Sequence, residues 1–220
     1  MRALVTTYGL SLRDLKETMA ERGISVDHST IHRCLVHFAP LLAERLNRRK
    51  RVVTGKWHAD ETYIKVLGRW TYPYRAIESN GCTVEFWLSE HRYLSAAKRF
   101  FKKALTRHGR PERVVIDGSQ TNQEAIISFD TISHLQNRPR RRLEPVRIRQ
   151  MQYLNNRIEQ GHLRIKRRVI PMLGFKSFRC AVATLSGIEM IHTLRKRQLQ
   201  DARTASLSNA KQFETLLVAI

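Results

Sequence analysis

Trp57-His58-Ala59-Asp60-Glu61-Thr62-Tyr63 opens the stretch that decides the fold. From His58 to Val66, and again from Trp70 to Ser79, β-branched and aromatic residues dominate, with Gly68 between the runs, so both read as strands. Asn80-Gly81 is a type I′ hairpin signal before a third run, Thr83 to Leu88. Three antiparallel strands in sequence are expected, and Pro73 within the second implies an edge position or a bulge. A helix follows from Ser95, where Ala97, Phe100, Phe101, Ala104 and Leu105 stripe one face opposite Lys98, Arg99, Lys102 and Lys103. Pro111 then leads into a short strand, Arg113 to Ile116, that ends at Asp117. Residues 118 to 150 read as a loop or weak strand, and a helix takes over from Gln150. The order strand, strand, strand, helix, strand, helix argues for an α/β fold with a mixed sheet covered by helices.

Three acids on these elements suggest chemistry: Asp60 in the first strand, Asp117 at the end of the fourth, and Glu159 in the last helix. A lone acid is most often a solvated surface charge. Here Lys and Arg number 40 against 19 Asp and Glu, and a carboxylate in a buried strand is costly unless a cation neutralises it. Asp60 and Asp117 are the acids best placed for such burial, whereas Glu61 alternates to the opposite face and reads as structural. Hard divalent cations prefer oxygen ligands and leave room for phosphate oxygens, which is the chemistry of phosphoryl transfer. Glu159, His162 and Lys166 stack on one helix face, with Asn155 one turn earlier.

A net charge of +21 and a pI near 10.9 point to a polyanion as partner, with nucleic acid ahead of an anionic membrane. No run reaches the roughly 20 apolar residues of a spanning helix, and the expected location is cytoplasmic and nucleoid-associated. Cys34, Cys82 and Cys180 form neither a disulfide framework nor a zinc pattern and read as buried thiols.

Residues 1–45 read as a small helical module. Ser11-Leu12-Arg13-Asp14 resembles a capping box, Leu12, Leu15 and Met19 share a face, and Gly23 ends the helix. A second helix starts near Ser29, capped by Asp27 or Ser29, with Ile31, Leu35 and Phe38 as its stripe and Pro40 as its stop. As a helix-turn-helix it would present Ser29, Thr30, His32 and Arg33 to base edges. Residues 46–55 then form a basic linker. Arg138, Arg140, Arg141 and Arg142, beside Pro139, would track phosphates.

Lys56 to Tyr63, Ile116-Asp117-Gly118-Ser119, Tyr153-Leu154-Asn155-Asn156-Arg157-Ile158-Glu159, Leu173-Gly174-Phe175-Lys176-Ser177-Phe178 and Gly187-Ile188-Glu189 together resemble the bacterial insertion-sequence-six family of DDE transposases. Tyr8 to Asp14 and Val26 to Ile31 resemble its helix-turn-helix. The resemblance implies a ribonuclease-H-like catalytic domain over residues 56–200 and a tail over 201–220. It implies Asp60, Asp117 and Glu159 as metal-binding catalytic residues, Lys166 as their basic companion, and magnesium as cofactor with manganese as its substitute. It also implies terminal inverted repeats and target DNA as substrates, DNA strand cleavage and transfer as the reaction, and a homo-oligomeric synaptic complex. A non-catalytic DNA-binding regulator and a nuclease without strand joining are the alternatives. Relative to that family Met1 falls late, 41 residues (118 to 158) separate Asp117 from Glu159, and Gly161 replaces a frequent acid, which would loosen the helix after Glu159.

Overall fold

The computed structural model describes residues 12–136, 144–151, 156–170, 174–200 and 211–212. The chain divides into two compact units, Val52–Ile170 and Met1–Arg51 with Pro171–Ile220.

Within Val52–Ile170, β1 (Lys56–Glu61), β2 (Ile64–Val66), β3 (Arg69–Glu78), β4 (Thr83–Ser89), β5 (Arg113–Ile116) and β6 (Arg147–Gln150) form one sheet. The path β4-β3-β1-β5-β6 is antiparallel in its first two pairings and parallel in its last two, while β2 also pairs with β3. Parallel neighbours need crossovers. These are α1 (Leu94–His108) between β4 and β5, and α2 (Gln120–Gln136) between β5 and β6, with α3 (Asn156–Val169) following. This is the expected mixed sheet flanked by helices.

Strand alternation sorts the side chains. Trp57 and Ala59 of β1, Tyr74 and Ala76 of β3, and Val114 and Ile116 of β5 form one core with Phe100, Phe101 and Ala104 of α1 and Ala125 and Ile126 of α2. The intervening residues, among them Asp60 and Arg75, belong to the other face, and α3 packs against β1 and β3.

Several expectations change. The type I′ turn lies at Leu67-Gly68, where both φ angles are positive (52° and 75°) between the paired Val66 and Arg69. Asn80-Gly81 belongs instead to a longer turn, with Gly81 N donating to Glu78 O and only the glycine left-handed. Pro73 is at neither an edge nor a bulge: it pairs with Leu88, and on its other side it faces the break between β1 and β2, where its carbonyl accepts from Thr62 N. No donor is needed there. The helix α2 was not foreseen, because its apolar residues do not keep to one stripe and Ile127 and Ile132 stay exposed. Gln150 ends β6 instead of beginning a helix.

In the other unit, α4 (Leu12–Ala20) ends at left-handed Gly23, with Ile24 N bonded to Met19 O and Gly23 N to Ala20 O. Ser11 of the expected capping box lies outside the described residues. Helix α5 (His28–Arg48) is capped by Asp27, whose carboxylate accepts from Ser29 N, and it runs through Pro40 instead of stopping there. Proline removes one helical hydrogen bond. Beyond it Leu42 and Leu46 are buried with Met190, Ile191 and Leu194 of α6 (Phe178–Arg195) and with Leu199, which holds the helix together. The same packing explains why Pro171 onward clusters with the N-terminal segment. The basic run is correspondingly no free linker: Arg45 and Arg48 lie in the last turn of α5, Lys50 forms a β-bridge with Leu199, and Arg51 N donates to Gln198 O. All three cysteines are free, but only Cys82 is buried.

Candidate active site

The first two acids are set by strand register. In the parallel pair, Trp57 lies across from Val114 and His58 from Val115; the pairing ends there, and the same offset continued two residues further would set Asp60 level with Asp117, the residue after β5. Adjacent strands are about 4.8 Å apart. The Asp60 side chain is 11% exposed. Its Oδ1 accepts from Glu61 N at 2.8 Å, and its Oδ2 lies 3.5 Å from His162 Nε2 on α3. Asp117 has left the strand and is exposed, contrary to the expected burial, with its Oδ1 accepting from Ser119 N at 3.2 Å. Gly118, at φ 97°, permits the turn.

The third acid, Glu159, is exposed in the first turn of α3. His162, one turn on, is buried, and among the described residues neither ring nitrogen has a hydrogen-bond partner. At 3.5 Å the approach to Asp60 is longer than a good hydrogen bond, so it is a contact of charge and orientation. Lys166 Nζ sits 4.2 Å from the centroid of the Tyr63 ring. Among the described residues no three His, Cys, Asp or Glu side chains are gathered closely enough to hold a metal ion. The structure thus puts Asp60 near the end of β1 in contact with His162, puts Asp117 directly after the neighbouring strand β5, and leaves Glu159 exposed on α3. His162 was noted in the sequence only as a member of the Glu159 face; that spacing was the signal for its part in the site.

Gly161 has a reason of its own. A Cβ there would stand 1.7 Å from Nη1 of Arg75, a fully buried side chain opposite Asp60 in the β1–β3 register, whose Nη2 donates to Thr83 Oγ1. The glycine seats the helix on the guanidinium; the expected loosening gives way to a close contact.

Glu61 points the other way, as expected, and is structural: its carboxylate accepts from Nε and Nη2 of Arg92 at 2.8 and 2.7 Å and from Asn122 Nδ2 at 2.7 Å. That hydrogen bond holds the Arg92 guanidinium above its ordinary pKa against partial desolvation, and the field of Asp117 adds to it. A pinned positive charge therefore lies near the exposed aspartate. Burial alone does not mark catalysts here: among the described residues Glu78, accepting from Thr54 N, and Glu85, paired with Lys103 and Arg107, are fully buried. Tyr74 is buried too, and desolvation pushes its phenol up to about 12, so it stays protonated.

The base-reading candidates lie in the first turns of α5. Ser29 hydrogen-bonds Asp27, Arg33 Nη2 donates to Thr30 Oγ1, and His32 Nε2 meets Cys180 Sγ at 3.3 Å; Ser29, His32 and Arg33 are exposed. Arg138, Arg140, Arg141, Arg142 and Asn155 lie outside the described residues. A cavity of about 270 Å³ lined by Arg110, Glu112, Arg113 and Arg147 sits at the opposite end of β5 from Asp117. Among the described residues no helix is long and apolar enough to cross a membrane.

A family described as DDE domain matches residues 54–198. The transposase for insertion sequence-like element IS431mec of Staphylococcus aureus is 33% identical over 212 residues, covering 96% of this chain and 90% of the relative. The transposase for IS257 in transposon Tn4003 of the same species is 32% identical over the same length. An uncharacterized protein, pYV0051, of Yersinia pseudotuberculosis is 45% identical over 51 residues, 23% of this chain and 48% of that protein. Among solved structures, the HTLV-2 integrase catalytic core domain in complex with magnesium aligns with a TM-score of 0.43 at 14% identity, covering 65% of this chain and 88% of that one.

Proposed function

We propose, for a chain that belongs to the insertion-sequence-six family of DDE transposases, that Asp60, Asp117 and Glu159 are its metal-binding catalytic acids. The class of reaction comes with the family: the protein is a DNA transposase, an enzyme of DNA strand cleavage and transfer. The observation that supports the assignment is the parallel pairing of β1 with β5, whose offset, continued past its last pair, would set the Asp60 and Asp117 carboxylates side by side at the carboxyl end of the sheet. Two like charges so placed repel, and an all-oxygen donor pair suits a hard divalent cation. Magnesium, or manganese in its stead, would supply Lewis-acid polarisation of the phosphodiester and activation of the attacking water or 3′ hydroxyl.

The chain's own groups do the positioning. Asp60 would hold the centre from the end of β1 and Asp117 from the turn after β5, with His162 beside Asp60 Oδ2 and Glu159 contributed by α3. Lys166, two turns along that helix, offers a point charge to the phosphate. Ser29, Thr30, His32 and Arg33 would read the terminal inverted repeats as the second helix of a helix-turn-helix, and Arg138, Arg140, Arg141 and Arg142 would hold backbone phosphates of repeat and target alike. A homo-oligomer would synapse two ends at the nucleoid.

The decisive experiment is metal-dependent nicking of a duplex carrying the element's ends. Asp60→Asn, Asp117→Asn and Glu159→Gln are each expected to abolish nicking and retain binding. Wild-type nicking by any one of them removes that residue from the triad. End binding without cutting by the parent protein would favour the regulator, and hydrolysis without joining the nuclease.

A further inference from the structure

We infer that the β2–β3 hairpin beside Asp60 is a stacking platform for an unpaired base of the DNA strand entering the active site. The inference rests on the reading of Asp60 as catalytic for its purpose, though not for its chemistry. Tyr63 and Trp70 are 54% and 50% exposed, and their rings meet edge to face with centroids 5.0 Å apart. Large aromatic rings are costly to leave in water, and among the described residues these two stay about half exposed. Lys65, directly across from Trp70 in the strand pair, places its Nζ 5.0 Å from that ring, while Lys166 Nζ lies 4.2 Å from Tyr63. Arg69 is exposed at the start of β3. Aromatic faces interleaved with cations make the surface that binds single-stranded nucleic acid: rings take bases and cations take the flanking phosphates.

Magnitude and place favour a base as occupant. A cation–π contact at an exposed site is weaker than a base stacked on an aromatic ring, so an arriving base displaces a lysine toward its own phosphate with net gain. The platform begins three residues beyond Asp60, and Lys166 ties it to the helix that carries His162 and Glu159, about 10 Å along that helix from Glu159. A strand gripped at the acids would lay its next base on this hairpin. The paired bases of an intact duplex cannot stack there, so the platform distinguishes an opened end from a closed one.

The test uses the full chain without divalent metal, so that no cleavage occurs. The probes are two duplexes of equal phosphate number, one blunt and one with a short 3′ overhang carrying 2-aminopurine. The parent should prefer the overhang and quench its 2-aminopurine emission. Trp70→Ala should weaken overhang binding about 5- to 150-fold, the equivalent of about 1–3 kcal/mol, with blunt-duplex affinity unchanged, and Trp70→Phe should restore most of it. Equal loss on both duplexes, an unchanged overhang affinity, or a change in sedimentation with DNA binding intact would each overturn the proposal, the last in favour of a contact between copies. Failure of the catalytic assignment would show instead as nicking by Asp60→Asn, which this measurement does not touch.

Discussion

His162 is the residue on which the site's geometry turns, because among the described side chains of α3 it is the buried one in direct contact with an acid of the proposed triad. Groups that orient a metal-holding carboxylate typically change activity or metal affinity about 10- to 100-fold when removed. His162→Ala should therefore slow nicking by about that factor and raise the magnesium concentration needed for half-maximal rate, with His162→Gln recovering part. An unchanged magnesium dependence would reduce His162 to a packing residue. Lys166 makes a different prediction. It reaches Tyr63, not an acid, so Lys166→Ala should impair end cleavage without shifting the magnesium dependence, and Lys166→Arg should retain part of the rate. Complete rescue of Lys166→Ala by excess magnesium would contradict a role at the phosphate.

At the scale of elements, the seat of α3 on β3 depends on a missing side chain. Gly161→Ala would push a methyl into the Arg75 guanidinium, and overpacking of this kind costs about 1–3 kcal/mol, although a helix interior otherwise favours alanine by about 1 kcal/mol. A net destabilisation in urea unfolding is expected, smaller when Arg75→Lys is combined with it; additivity of the two changes would show that they do not meet. In the other unit, Pro40 leaves a gap in the hydrogen bonding of α5, so Pro40→Ala should stabilise that unit, by at most about 3 kcal/mol, in the same assay. The cap of α5 is pH-dependent. Hydrogen bonds from Ser29 lower the Asp27 pKa from 3.8 to about 2, so its stabilising effect is complete above pH 3.8 and fades as pH falls through 2. A carboxyl titration by NMR should find its midpoint near 2; a midpoint near 3.8 would mean that the cap does not form.

On the scale of the whole molecule, the chain is folded as two units of which one is discontinuous. The core of Trp57, Tyr74, Phe100, Phe101, Val114 and Ile126 lies entirely within residues 52–170. Leu42 and Leu46, in contrast, are buried against residues some 150 positions away. A fragment spanning 52–170 should therefore unfold cooperatively on its own, whereas 1–51 alone should not. Circular dichroism with thermal melts decides this, and a cooperative 1–51 fragment would refute the reading of unit composition.

The strand runs, the amphipathic helix Leu94–His108, the short strand leading to Asp117 and the polyanion-seeking charge were legible in the sequence, because local propensity and periodicity state them within a few residues. So was the motif set that marks the family. What tertiary structure alone decided depends on partners distant in the chain. Pro40 reads locally as a stop, yet buried contacts with α6 outweigh the lost hydrogen bond. Asn80-Gly81 reads as the tight turn, yet strand pairing puts that turn at Leu67-Gly68. Asp60 and Asp117 are alike as letters. The parallel pairing puts their strands β1 and β5 side by side, and the packing of α3 on the sheet brings His162 to Asp60, because pairing and close packing act between residues that periodicity cannot relate.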